Sequence, residues 1–558
     1  MRRVLDELIL RWPRIARIAV SIAWVVIWIG AIRLAALVHL AFVVAWPDHF
    51  LHEDSAAYLS EAQSILTGHY VDDPGRRPYG VAFFLVLLSK LFSPSILVFV
   101  TAQHVLSIVS SLLIAATVRF AGAPRIFSLL AFLLASLYAR TVHFDNTVGA
   151  ETISVFLTSV AALVASGLVF RRWPPLLSAT AIGLSLGAVM LCRSASVGSA
   201  VIILTWIAIV MDAGWLRRLA VPALAGCIAA AVYLTPAAVN RVIGKQPAGS
   251  EAVAVMAFVV GYSGDFDHGV HLDRKAQARQ FVEQKRAIYG PTGWADGGEA
   301  QWPFQVVALM GKSGDSEADI GKVVRDIFIE TLTTPSTLWH HLSVNFIHEM
   351  YFLLFDGSIP AMRTPNPQAH EFFVKRDVFP FFGSPTGLKY RTLIYDHYRQ
   401  PYRLSWLLPT ADGLQIKLDK LPTHGYSPRP DLAPFFCCGL TVSSEYDDLP
   451  GPIRWLSACT LILLVLLLAG EAAGWVGWLP RLPRHLVAGG FLMVLLALIN
   501  AAFPAFLVYG LNRYAYYVTP YMAGACGLLG AVLFEWLIKM PVMAIYSKIA
   551  SRPRAIVC

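Results

Sequence analysis

The feature that most restricts this chain is a series of apolar runs about as long as a bilayer is thick. A helix needs about 20 mostly apolar residues to cross the hydrocarbon core. Inside that core only segments that satisfy their own backbone hydrogen bonds persist. Runs of this kind fall at 18–46, 148–170, 176–191, 219–239, 453–473, 486–509 and 518–538, with shorter ones at 126–138 and 197–211. Tyr79 to Phe92 is too short to span alone and Ser93-Pro94 separates it from Ser95 to Val118, so 79–118 is either an interfacial helix and one span or a tight hairpin of two; Arg119 and Arg125 at its end favour a single crossing. The sequence therefore reads as an α-helical polytopic membrane protein with about ten transmembrane helices. Its composition agrees. Only 15% of residues are charged, against roughly one quarter in soluble domains.

Charge placement orients the spans, since Lys and Arg collect on the cytoplasmic side. Arg2, Arg3, Arg11, Arg14 and Arg17, then Arg119 and Arg125, Arg171 and Arg172, Arg217 and Arg218, Arg481 and Arg484, and finally Lys539, Lys548, Arg552 and Arg554 fall on one side. The short loops of the other side hold only Arg76, Arg77, Arg140, Arg193 and Arg513. Both termini are thus expected in the cytoplasm of a plasma (bacterial inner) membrane protein. Residues 1–240 form an N-terminal transmembrane module of about seven spans, 241–452 an extracytoplasmic domain, and 453–558 a C-terminal module of about three. The net charge of +9 is accounted for by these helix ends. No basic stripe interleaved with aromatics points to nucleic acid. The apolar run after the basic start is too long for a cleavable signal peptide. Cys192, Cys227, Cys459 and Cys526 read as packing residues, and Cys437-Cys438 is an adjacent pair with no metal-binding spacing.

The large insert mixes both charge signs with Pro, Gly, His and aromatics, and helical periodicity is visible at 273–289, 320–332 and 339–355. In the first outer loop, 55–66 has apolar residues at helical spacing and Gly68 ends it. Arg33 interrupts the first apolar run, so it must face protein, snorkel or bind a partner.

The outer arginines carry the functional signal, because each lies near acidic residues in the same set of loops. His52, Glu53 and Asp54 follow the first span, and Arg76-Arg77-Pro78-Tyr79 closes that loop. Arg140, His143, Asp145 and Glu151 occupy the next, and Arg193 and Arg513-Tyr514 lie at later outer ends. A carboxylate at such a boundary can act as general base toward a hydroxyl. Arginines hold phosphate in a bidentate fork and stay charged. Plainer readings stand beside these: Asp54 as a helix N-cap, Arg76 and Arg77 as interfacial anchors, and Glu151 as an ordinary first-turn acid. Tyr514, Tyr516, Tyr517 and Tyr521 read most simply as an aromatic belt. Glu53-Asp54 offers carboxylates to a divalent cation, but no second cluster with ligand spacing joins it, so no metal or other cofactor is expected to be required.

The order Glu53-Asp54-Ser55-Ala56-Ala57-Tyr58, Thr67-Gly68, Arg77-Pro78-Tyr79-Gly80, Gln103, Glu151, Gly183-Leu184-Ser185-Leu186-Gly187, Cys192-Arg193 and Asn512-Arg513-Tyr514 resembles the GT-C superfamily of polyprenyl-phosphate-sugar glycosyltransferases. That superfamily includes protein O-mannosyltransferases and the lipid A aminoarabinose transferase. The resemblance runs through the first 240 residues and reaches the C-terminal spans. It implies a helical bundle with an outer-leaflet active site and a hexosyl- or pentosyltransferase activity. The donor would be a polyprenyl-phosphate sugar, and the acceptor an envelope glycan, lipid or protein. It implies Asp54 as catalytic acid residue with Glu53 as its neighbour, Asp145 or Glu151 as the assisting acid, and Arg76, Arg77, Arg193 and Arg513 around the donor phosphate. Tyr58, Tyr79, His143 and Tyr514 complete the expected substrate contacts. The chain departs from the lipid A enzymes at Arg77-Pro78-Tyr79, where they carry Lys-Pro-Pro. The alternatives are a lipid-linked glycan flippase and an O-antigen ligase or polymerase acting on diphosphate-linked donors. Transporters show paired repeats and broken midplane helices, and neither pattern is present.

A topology reporter fused at Pro365 should be active only if it functions outside the cytoplasm. Activity of a cytoplasm-only reporter at that position would invert the orientation.

Overall fold

The structure, a computed structural model, describes residues 13–45, 55–67, 79–93, 95–242, 269–293, 313–347, 402–410, 413–420, 452–476, 482–507 and 514–539, with a few single positions between 256 and 354. It is a nearly all-helical polytopic membrane protein. Among the described residues, eight helices are long and apolar enough to cross a bilayer. They are α1 (Pro13–Ala45), α4 (Ile96–Phe120), α7 (Glu151–Arg171), α8 (Pro175–Cys192), α10 (Trp215–Val242), α14 (Pro452–Val476), α15 (Arg484–Leu507) and α16 (Tyr514–Phe534).

The shorter apolar runs also form helices, but with less than a bilayer's length. α5 (Arg125–Leu137) has 13 residues, a rise of about 20 Å against a hydrocarbon core of about 30 Å. Tyr138 takes an extended conformation at its end, and the chain resumes as α6 (Ala139–Asp145). α9 (Val197–Val210) has 14 residues. α2 (Ser55–Thr67) is the expected short helix of the first loop, with Tyr58, Leu59 and Ala62 on its buried side. α3 (Tyr79–Leu91) is a separate 13-residue helix ahead of α4.

Helix ends follow from local chemistry. α7 opens on Glu151 and closes on Arg171, so both charges complement the helix dipole. Arg172 then adopts a left-handed conformation with φ 54°, which lets the Trp173 N–H reach the Gly167 carbonyl at 3.2 Å and satisfies an otherwise orphaned acceptor.

The transmembrane modules on either side of the insert share one core. Ile114, Val155, Leu186 and Trp206 from the first and Leu463, Leu492, Tyr516 and Leu528 from the second belong to a single buried cluster. The Trp206 indole N–H donates to the Ala488 carbonyl at 2.8 Å, and the Ser199 hydroxyl donates to Asn500 Oδ1 at 3.1 Å. α8 and α10 approach most closely at Gly183 and Gly187, spaced four apart. A Cβ on Gly183 would stand 2.6 Å from the Ala225 carbonyl, and one on Gly187 2.6 Å from Val232 Cβ. Small residues at this spacing let backbones close up where lipid supplies no hydrophobic drive. α1 is the exception to this packing. Only 6% of its most apolar window is buried, and Arg33 lies on its exposed side, so among the three expectations for Arg33, facing protein is overturned.

In the insert, α11 (Leu272–Gly293) and α12 (Glu317–Thr333) pack through Ala278, Ile320, Val323 and Ile327. A Lys275–Glu330 ion pair of 3.3 Å adds to that contact. α13 (Pro335–His340) continues as a wider π-type turn over His341–Phe346. There His341 Nε2 lies 2.9 Å from the Phe506 carbonyl of α15, and the Ser457 hydroxyl of α14 bonds the Leu354 carbonyl. The insert is thereby tied to the second module. Strands β1 (Tyr402–Thr410) and β2 (Gly413–Lys420) form an antiparallel hairpin, an element the periodicity reading of the insert did not include.

Gly187→Leu should force α8 and α10 apart at a cost of about 1–3 kcal/mol, lowering the melting temperature of the detergent-solubilised protein. Gly30→Leu, where nothing lies within 4 Å of a Cβ, is the matched control and should leave melting unchanged. Equal melting curves for the two variants would contradict the close helix contact.

Candidate functional site

The site is assembled around the segment 145–151, which links α6 to α7. Its backbone is tied by one side chain from α4. Gln103 Nε2 donates to the Asp145 carbonyl at 3.1 Å and to the Thr147 carbonyl at 2.6 Å, while its Oε1 accepts from the Gly149 N–H at 3.4 Å. A single amide thus uses both donors and its acceptor on one loop. A second tie comes from the first outer loop: the Ser55 hydroxyl, at the start of α2, donates to the Val148 carbonyl at 2.6 Å. Ser55 is the residue that follows Asp54 in the chain.

Below this loop lies a buried polar knot. Asp145 is fully buried. Its Oδ1 accepts hydrogen bonds from the Tyr516 hydroxyl of α16 at 2.6 Å and from the Thr152 hydroxyl of α7 at 2.7 Å. Burial pushes the Asp145 carboxyl up to about 7, against the downward pull of the nearby Ser107, Tyr516 and Thr152 hydroxyls. His39 of α1 and His104 of α4 complete the knot. Their Nδ1 atoms are 2.8 Å apart, and His39 Nδ1 is 3.8 Å from Asp145 Oδ2. Neither histidine was singled out by sequence reading. The available signal was a polar ring placed inside an otherwise apolar run, where burial demands a partner.

A second group sits beside the knot. Arg193 ends α8, and its guanidinium stacks on the Tyr517 ring at 3.6 Å, a distance at which a desolvated cation–π contact is worth about 2 kcal/mol. Arg193, Glu151 and Tyr58 all lie within electrostatic reach of the Tyr517 hydroxyl. α3 is held against the same helix end. A Cβ on Gly80 would stand 2.6 Å from the Cys192 nitrogen, which places half-buried Tyr79 next to that contact.

The structure therefore brings together Asp145, Glu151, Arg193 and Tyr58, with Tyr79 nearby. Glu53, Asp54, Arg76, Arg77 and Arg513 lie outside the described residues. His143 and Tyr514 fall within α6 and at the start of α16, but their side chains lie outside what is described. The tyrosines of α16 correct one expectation. Tyr516, Tyr517 and Tyr521 are 1–3% exposed, so they line the bundle interior and are not an interfacial belt. The Tyr516 hydroxyl finds Asp145 and Thr152 there, partners a lipid-facing position could not supply. Asp145 and Glu151, read together as candidates for the assisting acid, also part company: Asp145 is enclosed, whereas Glu151 is half-buried at the loop's end.

Fold and site define a helical polytopic membrane protein with a polar cluster at one end of its bundle. No family model matches the sequence, and no curated protein matches it. Among solved structures, the chain is similar to the archaeal oligosaccharyltransferase AglB from Archaeoglobus fulgidus in complex with an inhibitory peptide and a dolichol-phosphate. The identity is 13% and the TM-score 0.39, covering 93% of this chain and 51% of that one. It is also similar to the apo form of the Archaeoglobus fulgidus oligosaccharyltransferase at 12% identity and TM-score 0.42, covering 93% and 52%. The chain spans about half the length of these structures.

Gln103→Leu should free the loop while leaving α4 apolar. Three hydrogen bonds are lost and buried carbonyls are left unpaired, at about 1–3 kcal/mol for each orphaned group. Hydrogen exchange should rise across 145–151 relative to the rest of the bundle. Unchanged protection there would mean that the loop is held by other contacts.

Proposed function

We propose that this protein is a membrane glycosyltransferase of the GT-C kind. It would move a sugar from a polyprenyl-phosphate donor to a hydroxyl of an envelope glycan, lipid or protein on the outer face. The observation that supports this reading best is the convergence of Arg193, Glu151 and Tyr58 beside Tyr517, next to the tie between Ser55 and Val148. Residues 42 to 459 positions apart in the chain meet there only if the loop ends of several helices face one way. An arginine whose face rests on an aromatic ring is rigid and still presents its N–H edge, the arrangement a phosphate requires.

In this reading Asp54 accepts the proton from the acceptor hydroxyl. The acceptor oxygen bonds to the anomeric carbon as the bond from that carbon to the phosphate oxygen breaks, and the phosphate leaves with the electron pair. Arg193, Arg76, Arg77 and Arg513 hold the leaving phosphate. Glu151 is the better candidate for the assisting acid because it is less enclosed than Asp145. Tyr58, Tyr79, His143 and Tyr514 surround the sugar and acceptor. A flippase would need the arginines but not the base, so turnover separates the two readings.

Purified protein should transfer label from a radiolabelled polyprenyl-phosphate sugar to an envelope acceptor. Arg193→Ala and Arg77→Ala should each weaken donor binding about ten- to a hundredfold, the equivalent of about 1.5–3 kcal/mol for a charge-assisted contact. Asp54→Asn should keep donor binding and lose roughly two to four orders of magnitude in turnover. If Glu53→Gln is inactive while Asp54→Asn is not, the base is Glu53. Activity in both would remove the catalytic role of this loop.

A further inference from the structure

His39, His104 and Asp145 come from α1, α4 and α6, and their free donor atoms point at one place. The hydrogen-bond partners decide which ring nitrogens are free. His39 Nε2 faces the Ser136 carbonyl at 3.0 Å. A carbonyl only accepts, so in the neutral ring the proton is on Nε2 and Nδ1 carries a lone pair. His104 Nε2 faces Asn146 Oδ1 at 3.2 Å, and the same logic leaves its Nδ1 unprotonated. Two lone pairs thus confront each other across 2.8 Å. That geometry calls for a cation between them, either a proton shared by the two rings or a metal ion.

The carboxylate completes the set. Asp145 Oδ1 is occupied by Tyr516 and Thr152, while Asp145 Oδ2 is buried with no hydrogen-bond partner among the described residues. That oxygen lies 3.8 Å from His39 Nδ1, and the ligand atoms of all three residues fall within 4.8 Å of one another. All three side chains are at most 3% exposed. Bonds of about 2.0–2.1 Å in a tetrahedral site put donor atoms about 3.3 Å apart. The separations of 2.8 and 3.8 Å straddle that value and the third lies within 4.8 Å, so shifts of up to about 1.5 Å would seat an ion.

We propose that His39 Nδ1, His104 Nδ1 and Asp145 Oδ2 bind one divalent transition-metal cation of the Zn²⁺ class. Two imidazoles and one carboxylate suit such an ion, whereas Mg²⁺ and Ca²⁺ prefer all-oxygen sites. The outer partners are those of a built metal site. Each ring gives its second N–H to an oxygen, and the carboxylate is oriented by two hydroxyls, which fixes tautomer and direction. The ion would clasp α1, the least buried of the spans, to α4 and to the loop that leads into Glu151. The inference is independent of the glycosyltransferase reading, because its test reads metal and not transfer.

The test uses the full chain purified on a tag without histidine, stripped with chelator and then dialysed against Zn²⁺ or Co²⁺. Wild type and His340→Gln, a control at an exposed histidine, should each retain about one metal per chain by mass spectrometry. The Co²⁺ form should show visible d–d absorption of a four-coordinate site. His104→Gln should lose that metal. Tyr516→Phe, a positioning change outside the ligands, should weaken affinity about ten- to a hundredfold in a chelator competition. Should His104→Gln fail to fold, the wild type decides alone: Zn²⁺ must raise the melting temperature of stripped protein and Co²⁺ must give the absorption. Wild type retaining no stoichiometric metal would overturn the proposal and leave the two rings sharing a proton. Stoichiometric metal retained by a folded His104→Gln variant would overturn it equally, by placing the ion elsewhere.

Discussion

Everything in this structure depends on the absence of water from the bilayer core. A backbone amide there has no solvent to turn to, so each long apolar run closes its own hydrogen bonds as a helix. The same constraint governs side chains. A hydroxyl, imidazole or carboxylate inside the bundle must find a protein partner or carry a desolvation cost of several kcal/mol. Polar groups are therefore sorted into two places: the helix ends and the interior knots. Ser110 and Ser111 of α4 show the simplest solution, each bonding a carbonyl one turn back. Gln103, His104 and Asp145 show the other, in which distant elements satisfy one another.

That sorting explains why the candidate site lies where it does. The segment 145–151 crosses the end of the bundle without helical bonding of its own, so its carbonyls need external donors, and Gln103 and Ser55 supply them. The tether also fixes the start of α7, and with it the position of Glu151. Arg193 and Tyr517 reach the same place from the opposite ends of α8 and α16. A charged group held in this way is oriented before any ligand arrives, so less ordering entropy remains to be lost on binding.

Much of the architecture was legible in the sequence because hydropathy and helix geometry share a length scale. The eight long spans, the separate helices α2 and α3, and the first-turn position of Glu151 all follow from run length, Gly68 and the Ser93-Pro94 break. Less legible were the places where tertiary contact overrides a local rule. Tyr516, Tyr517 and Tyr521 have the composition of an interfacial belt, yet they are interior because α16 is the central helix of the bundle, with 83% of its most apolar window buried. Arg33 could have faced protein, snorkelled or bound a partner, and α1 turns that face outward and uses Ala31, Ala35, Val38 and His39 for packing.

The sequence by itself determined the class: the lengths of the apolar runs set the helices, and the lysines and arginines between them set an expected orientation. It also named Asp145, Glu151 and Arg193 as residues that belong together, through their common placement in loops of one side, and Tyr58 through the family resemblance. Only the tertiary structure decided which of these meet, that Asp145 is enclosed and Glu151 is not, and that two histidines 65 residues apart face one carboxylate. The reason is physical. Periodicity and charge bias are properties of single helices and their ends, whereas a pairing between helices depends on rotation and register, which small residues such as Gly183 and Gly187 and the buried hydrogen bonds fix only once the bundle has closed.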